Sequence, residues 1–219
     1  PQTWGRGSGG EGLLGEPRRG PLLGQRMNTP VIPPVNTQTN IAGQERRMAD
    51  RLRELVEIQV VALCAWPSIG AEGADQRSLL REAIEMGIDV IGGCPHLESD
   101  PAAANDNLLT IAAEAGLPVD LHTDETLNPS MLALEDLAER VIASGYPHRV
   151  AASHCVTLAL QTEHRQREVA EKVAAAGISV IALPHTNLFL QGRDCQVSMP
   201  RAVTAVKALR AAGVNVAAG

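Results

Sequence analysis

The sequence predicts an α/β fold with a parallel sheet, of the (β/α)8 barrel type. Three observations predict it. From about residue 44 onward, amphipathic helical patterns alternate with short β-branched runs at a spacing of about 30 residues, which is typical of βα units. The runs are nearly continuous in apolar residues, as in strands that are covered on both faces. Polar residues recur at the ends of the runs, where barrel enzymes carry their active sites.

The first part of the chain differs in composition from the rest. Residues 1–34 are rich in Gly, Pro and Arg and show no sustained hydrophobic period. Such a segment buries too little apolar surface to offset its ordering entropy, so we predict a disordered extension. Residues 35–219 are predicted to form a partial barrel.

The predicted strands follow one another along the chain. A candidate at 34–41 ("PVNTQTNI") precedes another at 56–63 ("VEIQVVAL"). Each later strand follows a glycine, which in this position ends the preceding helix in a left-handed conformation. These strands are "IDVIGG" after Gly87, "LPVDLH" after Gly116, "YPHRVAASH" after Gly145, "ISVIAL" after Gly177 and "VNVAA" after Gly213. Helices are predicted over "QRSLLREAIEM", "PAAANDNLLTIAAEA", "PSMLALEDLAERVIAS", "TEHRQREVAEKVAAA" and "PRAVTAVKALRAA".

A doubly wound sheet would show the same alternation. That fold usually carries a Gly-x-Gly-x-x-Gly or P-loop pattern after a strand, and the sequence contains neither. The polar residues at the strand ends therefore favour the barrel.

Composition excludes several classes of function. The net charge is −6 with no basic cluster after residue 60, which argues against a nucleic-acid partner. No apolar run approaches the ~18 residues of a membrane span, and no signal peptide is recognisable at the start. The four cysteines have neither zinc-site nor disulfide-framework spacing, so we predict reduced thiols in a cytoplasmic protein.

Four of the six histidines stand just after predicted strands: His96, His122, His154 and His185. Asp124 and Glu125 accompany the second of them. A single histidine at a strand end is commonly an ordinary hydrogen-bonded residue, but four in series are expected to converge at one mouth of a barrel.

This set of residues suggests a metal ion that activates water. Imidazoles bind Zn²⁺ or Fe²⁺ while leaving a coordination position open. The pKa of bound water then falls toward ~7, which makes hydroxide available at neutral pH. Glu125, three residues after His122, is placed to carry a proton from that water to a leaving nitrogen.

Residues 56–219, which are 164 of the 219 residues, resemble the amidohydrolase superfamily, in particular its cytosine deaminase-like branch. The resemblance rests on these segments in order: "VEIQVVAL", "GIDVIGGCPHLE", "PVDLHTDE", "VAASHC", "LPHTNLFLQGR" and "AVKALRAAGVNVAAG". It implies a distorted (β/α)8 barrel of the metal-dependent hydrolase kind with one divalent metal ion, Fe²⁺ or Zn²⁺.

The resemblance also implies roles for single residues. His122 would be a metal ligand, Glu125 the catalytic proton shuttle, and His154 the catalytic residue that orients and polarises a metal-bound hydroxide. Substrate contacts would come from three further residues, Asp124, His185 and Gln191. For Gln191 and its neighbour Arg193, shaping a loop is an open alternative.

The chain departs from the family pattern at several points. It contains no His-x-His pair, which the family carries on strand 1, and Gln38 stands where a histidine is usual. Trp66-Pro67-Ser68 replaces a Phe-Pro-Gln that reads the substrate. The metal-binding aspartate of strand 8 would follow Gly219. We therefore expect a fragment, incomplete at both ends, which lacks strand 1 and the end of strand 8 and is inactive as given.

The predicted function is hydrolytic deamination of a cytosine-like N-heterocycle by the parent enzyme, a hydrolase acting on non-peptide C–N bonds. Hydrolysis of a cyclic amide or a triazine-type ring is an alternative, and so is a non-catalytic barrel remnant. A metal-free lyase or isomerase is disfavoured because the only lysines, Lys172 and Lys207, lie in predicted helices. The partner is expected to be a small molecule, and the sequence leaves the oligomeric state open.

Overall fold

Six parallel strands form one sheet in the computed structural model of the chain, and they are ordered in the sheet as they are in the sequence. The structure describes residues 37–193, 195, 197–198 and 200–219, with side chains from residue 41 onward. The strands are β1 (Val61–Cys64), β2 (Val90–Gly93), β3 (Val119–Thr123), β4 (Val150–His154), β5 (Ser179–Ala182) and β6 (Val216–Ala218).

Helices alternate with these strands along the chain. They are α1 (Thr37–Leu52), α2 (Ala74–Glu85), α3 (Pro101–Ala115), α4 (Ala133–Ser144), α5 (Glu163–Ala175), α6 (Pro184–Leu190) and α7 (Val206–Ala211). Short 3₁₀ segments follow β2 at Pro95–Leu97 and β4 at Thr157–Leu160. Among the described helices, none has the length and apolar character that crossing a bilayer requires.

The strand order confirms the predicted α/β fold and decides between its two forms. A doubly wound sheet reverses its strand order at a switch point, whereas here each strand pairs with the next one along the chain. This singly wound order is that of a (β/α)8 barrel. The sheet is open within the described residues, since β1 and β6 do not pair with each other.

The sheet has one face packed against helices and another that carries the polar residues. In β3, Val119, Leu121 and Thr123 are buried, while Asp120 and His122 alternate with them and are half-buried. Alternate residues of a strand point to opposite faces. The core lies between the sheet and its helices, with Ile91, Leu121, Leu134, Leu137 and Val180 among its fully buried residues.

Helix ends follow from local sequence signals. Gly116 and Gly145 end α3 and α4 with φ of 69° and 60°, a left-handed conformation that favours glycine. At the other end of α3, the Asp100 carboxylate accepts a hydrogen bond from the Ala103 amide, and Thr162 caps α5 in the same way.

The predicted strand at 34–41 is wrong. Residues 37–41 belong to α1, which buries Ala42 and Ala49 and packs on α2 and β1. The helical burial of that apolar face outweighs the local preference of two threonines for a strand. Residues 34–36 and the predicted extension at 1–34 lie outside the described residues.

Two further elements are shorter than predicted. The strand predicted at 56–63 is observed at Val61–Cys64. Residues 56, 57 and 59 are exposed, and among residues 37–193 and 200–219 no strand pairs with β1 on the side away from β2. The last helix, predicted from Pro200, begins only at Val206.

Candidate functional site

A compact cluster of His122, Glu125 and His154 lies at the carboxyl ends of β3 and β4. One donor atom from each of these residues lies within 4.8 Å of the others. His154 Nε2 is 3.1 Å from His122 Nδ1 and 3.4 Å from Glu125 Oε2. His122 Nδ1 is 3.9 Å from the same carboxylate oxygen. The structure thus brings together the three residues that the sequence placed at the ends of successive strands.

His96 extends the cluster from the end of β2. Its Nε2 is 3.9 Å from Glu125 Oε2, and its Nδ1 is 2.8 Å from the carbonyl oxygen of His122. The ring is buried. Three successive strand ends therefore supply imidazoles around one glutamate.

The backbone at these strand ends is unusual. Asp124, His154 and Cys155 have φ values of 52°, 69° and 47°, in the left-handed region that side chains other than glycine rarely adopt. The Cys155 amide donates to the Thr123 carbonyl, and the Val156 amide donates to the Asp124 carbonyl. Strain of this kind, held by surrounding hydrogen bonds, is characteristic of functional sites.

Two buried residues fix His154 and were not identified from the sequence. The side-chain Nδ2 of Asn187, from α6, is 2.9 Å from His154 Nδ1. The Thr204 hydroxyl donates to the His154 carbonyl at 2.5 Å. Asn187 lies inside the quoted segment "LPHTNLFLQGR", but a lone asparagine in a helix has no pattern that marks it. Thr204 lies in an irregular stretch 50 residues from its partner.

The electrostatics separate the roles of the ionisable groups. Interaction with Glu125 raises the pKa of His122, and the same interaction, helped by His154 and His96, lowers the pKa of Glu125 against the opposing effect of burial. Burial lowers the pKa of both His96 and His154. Burial thus favours the neutral form of His96 and His154, whereas Glu125 favours the charged form of His122 and is itself favoured as the carboxylate.

The donor set fits a divalent metal ion. Imidazole nitrogens and a carboxylate oxygen are donors that Zn²⁺ and Fe²⁺ accept, and here they converge within the span that one ion bridges. A search of the described residues for three or more His, Cys, Asp or Glu side chains close enough to share one ion finds this group.

The three residues predicted to contact substrate have other surroundings. Asp124 is fully buried, and its two carboxylate oxygens accept hydrogen bonds from the backbone amides of Ala133 and Leu134 at 2.8 and 3.1 Å. Burial raises its pKa to about 6, while those hydrogen bonds oppose the shift. The carboxylate is thus directed at the start of α4.

Gln191 bonds to a loop and His185 is exposed. The Gln191 side chain donates to the Ala202 carbonyl at 2.8 Å and accepts from the Ala202 amide at 2.9 Å, which favours the loop-shaping alternative. Its neighbour Arg193 stacks its guanidinium over Phe189, 4.1 Å from the ring centre. His185 lies in the first turn of α6.

Comparison with known proteins identifies relatives of similar sequence. The chain is 39% identical over 145 residues to a pterin deaminase of Rhizobium rhizogenes, which is 66% of this chain and 32% of that protein. It is 30% identical over 112 residues to the N-isopropylammelide isopropyl amidohydrolase of Pseudomonas sp., which is 48% of this chain and 26% of that protein.

A solved structure agrees with the fold. The 5-methylcytosine deaminase from Klebsiella pneumoniae, liganded with phosphonocytosine, matches with a TM-score of 0.74 and 32% identity. The match covers 84% of this chain and 46% of that one. The chain thus spans about a third of the curated relatives and under half of the solved structure. The model of the amidohydrolase family matches residues 35–219, and the chain belongs to that family.

Proposed function

We propose that this chain carries part of the active site of a hydrolytic deaminase that acts on a cytosine-like N-heterocycle. The observation that carries the proposal is the convergence of His122, Glu125 and His154 at the ends of β3 and β4. Relatives named as deaminases of a pterin and of 5-methylcytosine support the substrate class. The small-molecule partner belongs to the same proposal.

One divalent ion, Fe²⁺ or Zn²⁺, is proposed to bind at the cluster with His122 as its ligand, while Glu125 and His154 stand beside it in the roles given below. The family is metal-dependent, and the donor set at this position suits either ion. When bound, the ion supplies the Lewis acidity that makes water nucleophilic at neutral pH.

Glu125 is proposed to move the proton. Its lowered pKa keeps it ionised at neutral pH, so it can accept a proton from the attacking water. Water oxygen would add to the ring carbon while one water proton passes through Glu125 to the adjacent ring nitrogen. The second water proton would then reach the exocyclic nitrogen by way of Glu125, the exocyclic C–N bond would break, and ammonia would leave. The ring carbon is left as a carbonyl beside a ring N–H group. His154, held by Asn187 and Thr204, orients the attacking oxygen.

A second candidate is release of an alkylamine from a triazine-type ring. The similarity to N-isopropylammelide isopropyl amidohydrolase favours it. The same groups would act, because the leaving nitrogen differs only in its alkyl substituent. Trp66-Pro67-Ser68 at the end of β1 would line a pocket that differs from a cytosine-reading one.

The test uses the complete product of the gene in which this sequence lies, assayed for ammonia or alkylamine release on cytosine, 5-methylcytosine, a pterin and N-isopropylammelide. Glu125→Gln should lower kcat on the accepted substrate by at least ~10²-fold, since it removes general acid–base catalysis. The matched control is Glu114→Gln, on the exposed surface of α3, which should leave kcat unchanged. Metal removal by a chelator should abolish turnover reversibly.

The outcomes separate the alternatives. Turnover of the aminopyrimidine or pterin supports deamination, and turnover of N-isopropylammelide alone supports the triazine reaction. A folded product that neither binds a divalent ion nor acts on any of the four would leave the non-catalytic remnant as the correct interpretation.

A cytoplasmic location is proposed because the cysteines form no disulfide bonds with one another. All four cysteines are free, and burial raises the pKa of Cys64 and Cys94 to about 11, which keeps them as thiols. Unpaired cysteines are typical of proteins in reducing compartments.

A further inference from the structure

A loop of residues 124–132 joins β3 to α4, and Glu125 is its second residue. The Glu125 side chain is 21% exposed, and its carboxylate lies 3.4 Å from His154 Nε2. Loops open locally at a lower free-energy cost than the strands that flank them. The position of this carboxylate therefore depends on the contacts that hold the loop.

The segment that follows β4 lies against the start of this loop. The Cys155 amide donates to the Thr123 carbonyl at 2.9 Å, and the Val156 amide donates to the Asp124 carbonyl at 3.1 Å. These bonds continue the pairing of β3 with β4 as far as the residue before Glu125. Beyond that point, two side chains of the same segment bond to the loop.

The first of them is the hydroxyl group of Thr157, a residue with no exposed surface. Its Oγ1 is 3.2 Å from the carbonyl oxygen of Thr126 and 3.4 Å from that of Asn128. A hydroxyl carries one proton, so the two carbonyls share this donor. Thr126 directly follows Glu125 in the chain, and a buried donor thus holds the backbone next to the glutamate.

The second is the side-chain amide of Gln161, which follows the 3₁₀ segment Thr157–Leu160. Its Nε2 donates to the Pro129 carbonyl at 2.8 Å and to the Thr157 carbonyl at 3.3 Å. The backbone carbonyl of Gln161 in turn accepts from the Gln166 side chain of α5 at 2.9 Å. The middle of the loop is therefore joined to the 3₁₀ segment, and α5 anchors that segment.

We propose that Thr157 and Gln161 are positioning residues that hold the loop 124–132 so that the Glu125 carboxylate stays beside His154. The hydrogen bonds are a property of the chain, whereas their effect on turnover rests on the proposed function. Neither residue touches a reacting atom in this scheme. Both act on the fraction of molecules in which Glu125 is in place, which affects kcat more than KM.

The first experiment measures hydrogen exchange of the loop with millisecond labelling, in the full 219-residue chain without substrate. The amides of Asn128, Ser130 and Met131 bond within the loop and report its opening. Thr157→Val keeps the shape of the side chain and removes the donor, so exchange over 124–132 should be about 3- to 10-fold faster, the factor that one lost hydrogen bond corresponds to. Thr157→Ser keeps the hydroxyl and should restore most of the protection.

The matched control is Thr110→Val on the exposed surface of α3, which should leave exchange of the loop unchanged. If Thr157→Val left the loop unchanged, or accelerated α3 by the same factor as the loop, the proposal would be overturned. Should Thr157→Val not fold, Gln161→Met decides by the same measurement. That variant keeps a side chain of similar length at a half-buried position and removes the donor to the Pro129 carbonyl.

The second experiment uses the complete gene product on its accepted substrate. Thr157→Val should lower kcat by about 10- to 100-fold, as expected for a misplaced catalytic group, with a much smaller change in KM and an unchanged content of bound divalent ion. Thr157→Ser should recover most of kcat. An unchanged kcat, or a rise in KM alone, would contradict the positioning role. If the gene product deaminates no substrate, the proposed function fails, and the exchange rates still decide whether these two side chains hold the loop.

Discussion

Asp124 lies between two residues of the cluster in sequence, yet its carboxylate bonds to the backbone of α4. The amides of Ala133 and Leu134 both donate to it, and they belong to the first turn of α4, whose amides have no partner within the helix. A buried carboxylate at this point is stabilised by those two donors. These two hydrogen bonds give the buried Asp124 carboxylate a role in the fold, and its contact with substrate stays a prediction.

We expect Asp124→Ala to lower the free energy of unfolding by about 1–3 kcal/mol, because buried amide donors lose their acceptor. Asp124→Asn keeps one oxygen acceptor and should cost less. Urea denaturation of the three proteins measures the difference. If a variant instead kept its stability but showed a raised KM for substrate, the result would support a contact between Asp124 and the substrate.

Sequence reasoning located the residues that stand where a pattern ends. His122 and His154 end apolar runs and Glu125 follows His122 by three residues, and the parallel strands of a barrel bring such positions to one place. Asn187 and Thr204 could not be located in this way, because their roles depend on contacts with His154 across 33 and 50 residues of chain. No local periodicity records a contact of that kind.

At the scale of elements, β2 and α3 approach closely at a glycine. A Cβ atom on Gly93 would lie 2.5 Å from Cδ1 of Leu108, which is itself 2% exposed. Leu108 would have to shift within the core to admit the methyl group, so the spacing of the strand and the helix suits a glycine at this position.

Gly93→Ala should therefore destabilise the chain by about 1–3 kcal/mol through overpacking. Gly43→Ala is the control with the opposite sign. Its added Cβ meets only ordinary contacts at 3.5 Å in the interior of α1, where alanine is favoured over glycine by about 0.5–1 kcal/mol. Thermal unfolding of both variants should move in opposite directions, and a stabilised Gly93→Ala would contradict the packing described here.

The elements that the sequence predicted best have signals at both ends. The predicted helix over 101–115 is observed with those bounds, between the Asp100 cap and the left-handed Gly116. The segment 34–41 has neither a helix cap nor a terminating glycine. Its residues from 37 onward belong to α1, because the apolar face of that helix, which includes Ala49, is buried. The β1 strand is shorter than its apolar run because pairing on one side alone does not hold its first residues.

For the whole molecule, the strands differ in how many neighbours they have. β3 and β4 each pair on both sides, in register from Val119 with Val150 to Thr123 with His154. Within the part of the chain that the structure describes, β1 pairs with β2 alone, and its Val61 and Leu63 remain 40% and 47% exposed. In the same range β6 pairs with β5 alone.

Native-state amide hydrogen exchange should reflect this difference. Local opening is easiest where few contacts are broken, so amides of β1 and β6 should exchange faster than those of β3 and β4. Mass spectrometry of peptic peptides from the full chain measures the order. Equal protection of β1 would show that another segment or a second molecule covers its outer edge in solution.

The sequential order of the strands also has a mechanical consequence. Each strand pairs with the strands before and after it in sequence, and the strands that carry His122 and His154 lie in the middle of the sheet. Under tension applied to the two termini, the strands at the two edges of the sheet would therefore detach first. The pairing of β3 with β4, which holds His122 and His154 together, would be lost last.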